Sequence, residues 1–234
     1  MNLINLVTCA LGILTPILFS RLLLKGIGAL DVDQGVKQKL RIRIVTFITV
    51  WVALVWGLTI AGVFSYQSGD IIPRYLFALT IPVLIGVMML RMPRFVRLIS
   101  GIPLELLVGV QVFRLLGFVF ILVARNGEGP KDFELAGYGD ILTGLTAALA
   151  GILLFMKIRT APIMAWIFTM VGMLDLLNVA RILLVFDPIW SNSTPSSIAA
   201  GRFPMMLVLG LVAPIALLLH VYAIRGLILF NKKS

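Results

Sequence analysis

The stretch LELLVGVQVFRLLGFVFILVA, residues 104–124, decides the fold of this chain. A helix needs about 20 mainly apolar residues to cross roughly 30 Å of hydrocarbon, and this stretch has that length with only Glu105 and Arg114 charged. A charge at the centre of a spanning helix costs at least roughly 2.5 to 3.5 kcal/mol. We therefore expect Arg114 to face the interior of a helix bundle and to have polar partners there.

The rest of the chain has the same apolar character, since 60% of its 234 residues are hydrophobic and only 13% are charged. This is too little polar surface to cover a soluble globule. We predict an all-α membrane protein, a bundle of about seven transmembrane helices that forms a single domain over residues 1–234. The predicted spans are residues 3–24, 44–66, 74–91, 103–124, 137–156, 161–185 and 204–226. The third is the shortest and contains Pro82, so six spans with a re-entrant segment remain the alternative.

The distribution of basic residues predicts the orientation of the bundle, because cytoplasmic loops keep an excess of Lys and Arg. Basic residues concentrate after the first, third, fifth and seventh predicted spans: Lys25, Lys37, Lys39, Arg41, Arg43, Arg91, Arg94, Arg97, Lys157, Arg159, Arg225, Lys232 and Lys233. We predict the N-terminus outside and the C-terminus inside, in the cell inner (plasma) membrane. The net charge of +10 then serves insertion next to membrane lipid, and we expect no nucleic-acid partner.

Polar side chains within the predicted spans are the candidate ligand-binding residues. They are Gln111, Arg114, Tyr138, Asp140, Asp175, Asn178 and Arg181. The spacing of three places Gln111 and Arg114 on one helix face. Two arginines and two aspartates balance in charge, as a desolvated cluster requires. One interpretation is a set of structural ion pairs, such as Arg114 with Asp140 or Asp175. The other is an arginine that holds an anionic or carbonyl-bearing ligand.

The remaining titratable groups restrict the cofactor chemistry. His220 is the only histidine and lies at a depth similar to that of Glu105, so a Glu105–His220 proton relay is allowed beside ordinary hydrogen bonding in helix packing. One histidine and one cysteine exclude a two-histidine zinc site and a multi-cysteine metal cluster. No lysine lies in a predicted span, which excludes a retinal Schiff base. We expect no metal and no cofactor.

Several stretches resemble a known family. Residues 102–114 contain a Gly-Val-Gln-x-x-Arg pattern, and residues 137–144 begin with a Gly-x-Gly-Asp pattern. Over roughly residues 102–225 the chain resembles a family of small bacterial polytopic integral membrane proteins to which no activity is assigned. The resemblance implies a bacterial inner membrane, a single-domain helical bundle and no soluble partner domain.

These features predict a protein that binds or transports a small molecule through an outward-facing cavity, with Arg114 as the central contact. An intramembrane enzyme that acts on a lipid-like substrate, with Asp140 or Asp175 as general base, is one alternative. A non-catalytic subunit or assembly factor of a membrane complex is another. Whether the chain is an enzyme stays open. The expected partners are membrane lipid, a small-molecule ligand, and either further copies of the chain or a membrane complex.

Overall fold

The computed structural model describes residues 2–231, and over these residues the chain is helical and contains no strand. The α-helices are α1 (Leu3–Gly28), α2 (Gln34–Ile60), α3 (Tyr75–Met89), α4 (Pro93–Ser100), α5 (Leu104–Gly109), α6 (Phe118–Arg125), α7 (Phe133–Phe155), α8 (Ala161–Val185) and α9 (Ala213–Asn231). A 3-10 segment, Val110–Gly117, joins α5 to α6, and a π-helical turn, Val208–Val212, precedes α9. The predicted all-α membrane bundle is confirmed. Lys232 and Lys233, which entered the orientation prediction, lie outside the described residues.

Glycines let α7 pack closely against the span formed by α5, the 3-10 segment and α6, which we call the Arg114 span. Gly137, Gly144 and Gly151 recur every seven residues along α7 and face this span. A Cβ atom at Gly144 would lie 2.7 Å from the backbone nitrogen of Leu115, and one at Gly151 would lie 2.9 Å from the Cα atom of Gly109. Because no side chain fits at these distances, glycine is what permits the backbones to approach. The order of the contacts makes α7 antiparallel to the Arg114 span.

Helix α3 connects the two sides of the bundle although it is short. Six helical segments of the described chain are long and apolar enough to cross a membrane, and α3 together with α4 makes a seventh candidate with a bend of 96°. Tyr75, at the start of α3, donates to the carbonyl oxygen of Leu183 near the end of α8. Beyond the bend, Leu98 of α4 packs against Gly26 near the end of α1. Since α8 and α1 end on opposite sides, α3 leads across the bundle. A count of six or seven spans therefore agrees with the prediction.

An indole of α2 bonds to a carbonyl group that a proline leaves without its usual donor. Pro214 has no N–H to donate to the carbonyl oxygen of Gly210, four residues earlier. Trp51 Nε1 donates to that oxygen at 3.3 Å instead. Neighbouring helices commonly satisfy such freed groups in membrane proteins. This hydrogen bond attaches α2 to the π-helical turn that precedes α9.

The same arrangement occurs a second time on α1. Trp56 Nε1 donates at 3.5 Å to the carbonyl oxygen of Gly12, four residues before Pro16. Within α2 only Val55 and Thr59 are buried, and both lie near the level of these indoles. The buried residues of α2 therefore lie in its second half, while Lys37 in its first half donates to the carbonyl oxygen of Gly28 at 3.1 Å.

The first half of α2 contains no fully buried residue. The helix begins at Gln34, ten residues before the predicted span at residue 44. Its first ten residues, 34–43, carry four basic side chains, which explains why hydropathy does not include them in the span. Most of these residues are exposed. The consequence is a space between this part of α2 and the rest of the bundle.

Candidate functional site

Arg114 lies at the centre of a buried ion-paired group. Its Nε atom donates to Asp140 Oδ1 at 2.6 Å, and its Nη2 atom donates to Asp175 Oδ2. The Arg114 side chain is 2% exposed, and those of Asp140 and Asp175 are 13% and 4% exposed. One guanidinium thus serves two carboxylates taken from different helices, α7 and α8. We call Arg114, Asp140, Asp175 and His220 the Arg114 cluster.

Local backbone structure explains how these side chains meet. In a 3-10 helix three residues make one turn, so Gln111 lies directly above Arg114 on the same face. Gly117 faces Asp140, and Gly139 faces Asp175, so closely that a Cβ atom at either glycine would overlap the carboxylate. The two glycines therefore make the space that the carboxylates occupy.

His220 of α9 completes the cluster. Its Nε2 atom lies 3.4 Å from Arg114 Nη1, which also donates to the carbonyl oxygen of Gly172 at 3.4 Å. The imidazole ring stacks on Phe168 with centroids 4.8 Å apart, and its Nδ1 atom has no hydrogen-bond partner. Among residues 2–231 no ion pair joins Glu105 to His220. The proton relay stays a prediction, and the geometry places the histidine against Arg114.

The other predicted site residues do not bond to Arg114. Gln111 is fully buried, and neither polar atom of its side chain has a hydrogen-bond partner. Arg181 donates to Asn178 and forms a half-exposed ion pair with Asp132 at 3.2 Å. Tyr138 is 49% exposed and accepts a hydrogen bond from Arg125. The structure therefore brings together three of the seven candidates and leaves three at the surface.

The cavity beside Arg114 is small. Its volume is about 30 Å³, and its walls are apolar apart from Arg114 and Asp140. A cavity needs about 10 to 15 Å³ of this kind of volume to hold one water molecule. The space accommodates one or two waters and no larger solute, so the outward-facing ligand chamber expected around Arg114 is not formed in this structure. The physical reason is that the Arg114 guanidinium already binds the carboxylates of Asp140 and Asp175.

A much larger groove lies between α1, α2, α3 and α9. It has a volume of about 940 Å³, and apolar side chains form most of its walls. Pro16 of α1, Pro82 of α3 and Pro214, the second residue of α9, all line it. Trp51, which holds α2 to the bundle, lines the same region. We call this space the α2 groove.

Four arginines line the end of the α2 groove that lies between the first half of α2 and residues 91–97. They are Arg43, Arg91, Arg94 and Arg97. All four are exposed, and no ion pair among residues 2–231 involves any of them. In the sequence, these residues indicate only the orientation of the chain. The spacing of three between Arg91, Arg94 and Arg97 is the signal that they share a face, although nothing in it indicates an adjacent apolar groove.

A chain of this kind, with several membrane-spanning helices, an ion-paired core and a groove toward lipid, is a polytopic helical membrane protein. It belongs to the family described as a domain of unknown function (DUF8737), whose profile matches residues 71–228. The match extends from the loop before α3 into α9 and includes the whole Arg114 cluster. It confirms the prediction of a family without an assigned activity. No curated protein and no solved structure matches the chain.

Proposed function

We propose that the protein binds a small amphiphilic molecule within the membrane, in the α2 groove. The observation that supports this proposal is the combination of an apolar groove of about 940 Å³ with four arginines at one end that form no ion pair with any described residue. Ligand pockets usually have volumes of about 300 to 1,000 Å³ and mainly apolar walls with a few polar groups. The groove has both properties, whereas the cavity beside Arg114, at about 30 Å³, is far too small.

The proposal keeps the membrane orientation that the basic residues predict. The N-terminus lies outside, the C-terminus lies inside, and residues 1–234 form one domain in a bacterial inner membrane. With this orientation the arginine end of the groove lies at the inner surface. The molecule that binds there enters sideways from the bilayer, past the half of α2 that has no buried residue. Transport would require a further movement of the same molecule along the groove.

In this proposal the Arg114 cluster holds the bundle together and does not contact the ligand. Arg114, Asp140 and Asp175 satisfy one another within the core. A buried guanidinium with two carboxylate partners has little capacity left for an anionic ligand. The predicted role of Arg114 as ligand contact would need one of these ion pairs to open.

Filling the groove tests the proposal. Ile85 lines the groove, whereas its neighbour Leu84 does not and is 60% exposed on the lipid-facing side of α3. The Ile85→Trp variant should occupy the binding space, and Leu84→Trp is the matched control. Purified protein in mild detergent, with phospholipid added, is measured by native mass spectrometry to count bound lipid molecules.

We expect wild type and Leu84→Trp to retain one lipid, and Ile85→Trp to retain about tenfold less. Circular dichroism on all three proteins checks that both variants are folded. Equal retention by Ile85→Trp and Leu84→Trp would contradict a ligand in the groove. So would the absence of any retained lipid on the wild-type protein.

A further inference from the structure

We infer that the ligand of the α2 groove is an anionic membrane lipid, whose phosphate group the groove arginines bind. This inference rests on the proposed function and adds the chemical class of the ligand. Its basis is the position of Arg43, Arg91, Arg94 and Arg97 together at the end of an apolar groove. An apolar space that leads to several cations is complementary to a molecule with hydrocarbon chains and an anionic head.

The charge of this end of the groove is uncompensated by the protein. No carboxylate of residues 2–231 lies within 4.0 Å of any of the four guanidinium groups. This contrasts with Arg114 and Arg181, which both have carboxylate partners. A guanidinium presents a planar set of donors that matches a phosphate group. The four arginines are therefore free to bind an anion supplied by the membrane.

Helix α4 places two of these arginines at the depth of a lipid head group. It is bent by 96° from α3 and so runs across the direction of the spans. Phe95 and Leu98 on one side of α4 are buried, while Arg94 and Arg97 on the other are exposed. A short helix with this distribution of residues is typical of the interface between acyl chains and head groups. Lipid chains in the groove would have their phosphate next to these arginines.

A second copy of the chain fits this surface less well than a lipid. In a membrane both copies have the same orientation, so a symmetric pair through the groove would bring two sets of four arginines together. Like charges across an interface are repulsive. A lipid phosphate removes the repulsion among the arginines, and a second copy increases it.

The test compares two triple variants that lose the same charge. The first replaces three groove arginines: Arg91→Gln, Arg94→Gln and Arg97→Gln. The control replaces three exposed basic residues on the same predicted side of the membrane that do not line the groove: Arg41→Gln, Lys157→Gln and Arg159→Gln. Each protein is presented with equal amounts of phosphatidylglycerol and phosphatidylcholine, and bound lipids are counted by native mass spectrometry.

We expect wild type and the control to retain phosphatidylglycerol in preference to phosphatidylcholine. The groove variant should lose this preference by at least about tenfold, since one arginine near an anionic surface contributes on the order of fivefold. The single variant Arg43→Gln should weaken the preference more than Arg41→Gln, although the two residues are only two positions apart on α2.

The outcomes separate this inference from the proposed function. Retention of both lipids without preference, or an equal loss in the two triple variants, would overturn the anionic ligand while leaving a lipid in the groove. Retention of neither lipid by wild type would overturn both. A lipid-free dimer whose formation the Ile85→Trp variant prevents would show that a second copy occupies the groove.

Discussion

The hydrogen bond between Trp51 and the carbonyl oxygen of Gly210 should stabilise the protein only because residue 214 is proline. Trp51→Phe keeps an aromatic ring and removes the donor that lies 3.3 Å from this oxygen. In Trp51→Phe with Pro214 kept, the buried carbonyl of Gly210 loses this side-chain partner. In a Pro214→Ala background, the new backbone N–H can donate to the same oxygen and complete the helix. Loss of the indole should therefore cost less free energy of unfolding in that background.

The size of this difference follows from the kind of bond. A typical hydrogen bond contributes about 0.5 to 1.5 kcal/mol to stability. Double-mutant cycles on hydrogen bonds in a membrane protein average about 0.6 kcal/mol and reach about 1.7 kcal/mol. We expect a coupling of about 0.6 to 1.5 kcal/mol between Trp51→Phe and Pro214→Ala. The packing lost on changing tryptophan to phenylalanine is common to both backgrounds and cancels in the cycle.

The assay is reversible unfolding in mixed micelles, followed by circular dichroism because the variants change tryptophan. A cross cycle supplies the control. Trp51 does not donate to the carbonyl that Pro16 leaves free, so Trp51→Phe and Pro16→Ala should be additive within about 0.5 kcal/mol. Trp56→Phe and Pro16→Ala should couple as the first pair does. Equal costs of Trp51→Phe with and without Pro214 would refute the reasoning.

Two further predictions concern the Arg114 cluster. Arg114→Gln leaves two buried carboxylates without their cation, so we expect the free energy of unfolding to fall by about 3 to 5 kcal/mol. The exposed Arg181→Gln should cost less than about 1 kcal/mol, and equal effects of the two variants in the same unfolding assay would contradict the buried ion pairs. Gly139→Ala puts a Cβ atom onto the Asp175 carboxylate and should destabilise by about 1 to 3 kcal/mol. Gly57→Ala, where a Cβ atom would meet no heavy atom within 4 Å, should stabilise by up to about 1 kcal/mol. A stabilisation of similar size by Gly139→Ala would contradict the packing.

Much of the fold is predictable because the bilayer restricts what an apolar segment can do. The long segments of the chain become helices, and each predicted span overlaps a helical segment over most of its length. The observed helix boundaries differ from the predicted span boundaries where polar residues continue a helix beyond its apolar segment. Residues 34–43 are too basic to be assigned to a span, yet they continue α2 as regular helix outside the hydrocarbon. Hydropathy detects the membrane boundary, whereas the helix ends where its backbone hydrogen bonding ends.

The Arg114 cluster is predictable in part, because the cost of a buried charge limits the solutions. That cost requires Arg114 to meet carboxylates, and Asp140 and Asp175 were the available ones. It does not tell which of the polar residues farther along the helices join them. Arg181 has its own carboxylate at the surface and needs no place in the core. Depth along a helix can be counted from the sequence, but rotation about its axis cannot be assigned with the same certainty.

The α2 groove depends on distances between helices, which no residue pattern reports. Proline is common in membrane spans, so none of the three prolines along the groove indicates a groove by itself. Their common location becomes visible only when α1, α3 and α9 are placed side by side. Nor does the sequence place Arg43 beside the other three arginines of the groove, because Arg43 lies on α2 and the others lie at or just before α4.

Helix α9 connects the groove to the ion-paired core. Pro214, Leu218 and Tyr222, at intervals of four residues, line the groove, while His220 lies against Arg114 on another face. The cluster therefore has a structural role that bears on binding even without touching a ligand. The ion pairs fix α7 and α8 to the Arg114 span, and His220 packs α9 onto that unit. One wall of the groove is thus supported by the buried Arg114 cluster, while α2 opposite it has only Val55 and Thr59 buried among its described residues. In the proposed function, a lipid therefore enters the groove from the bilayer on the α2 side.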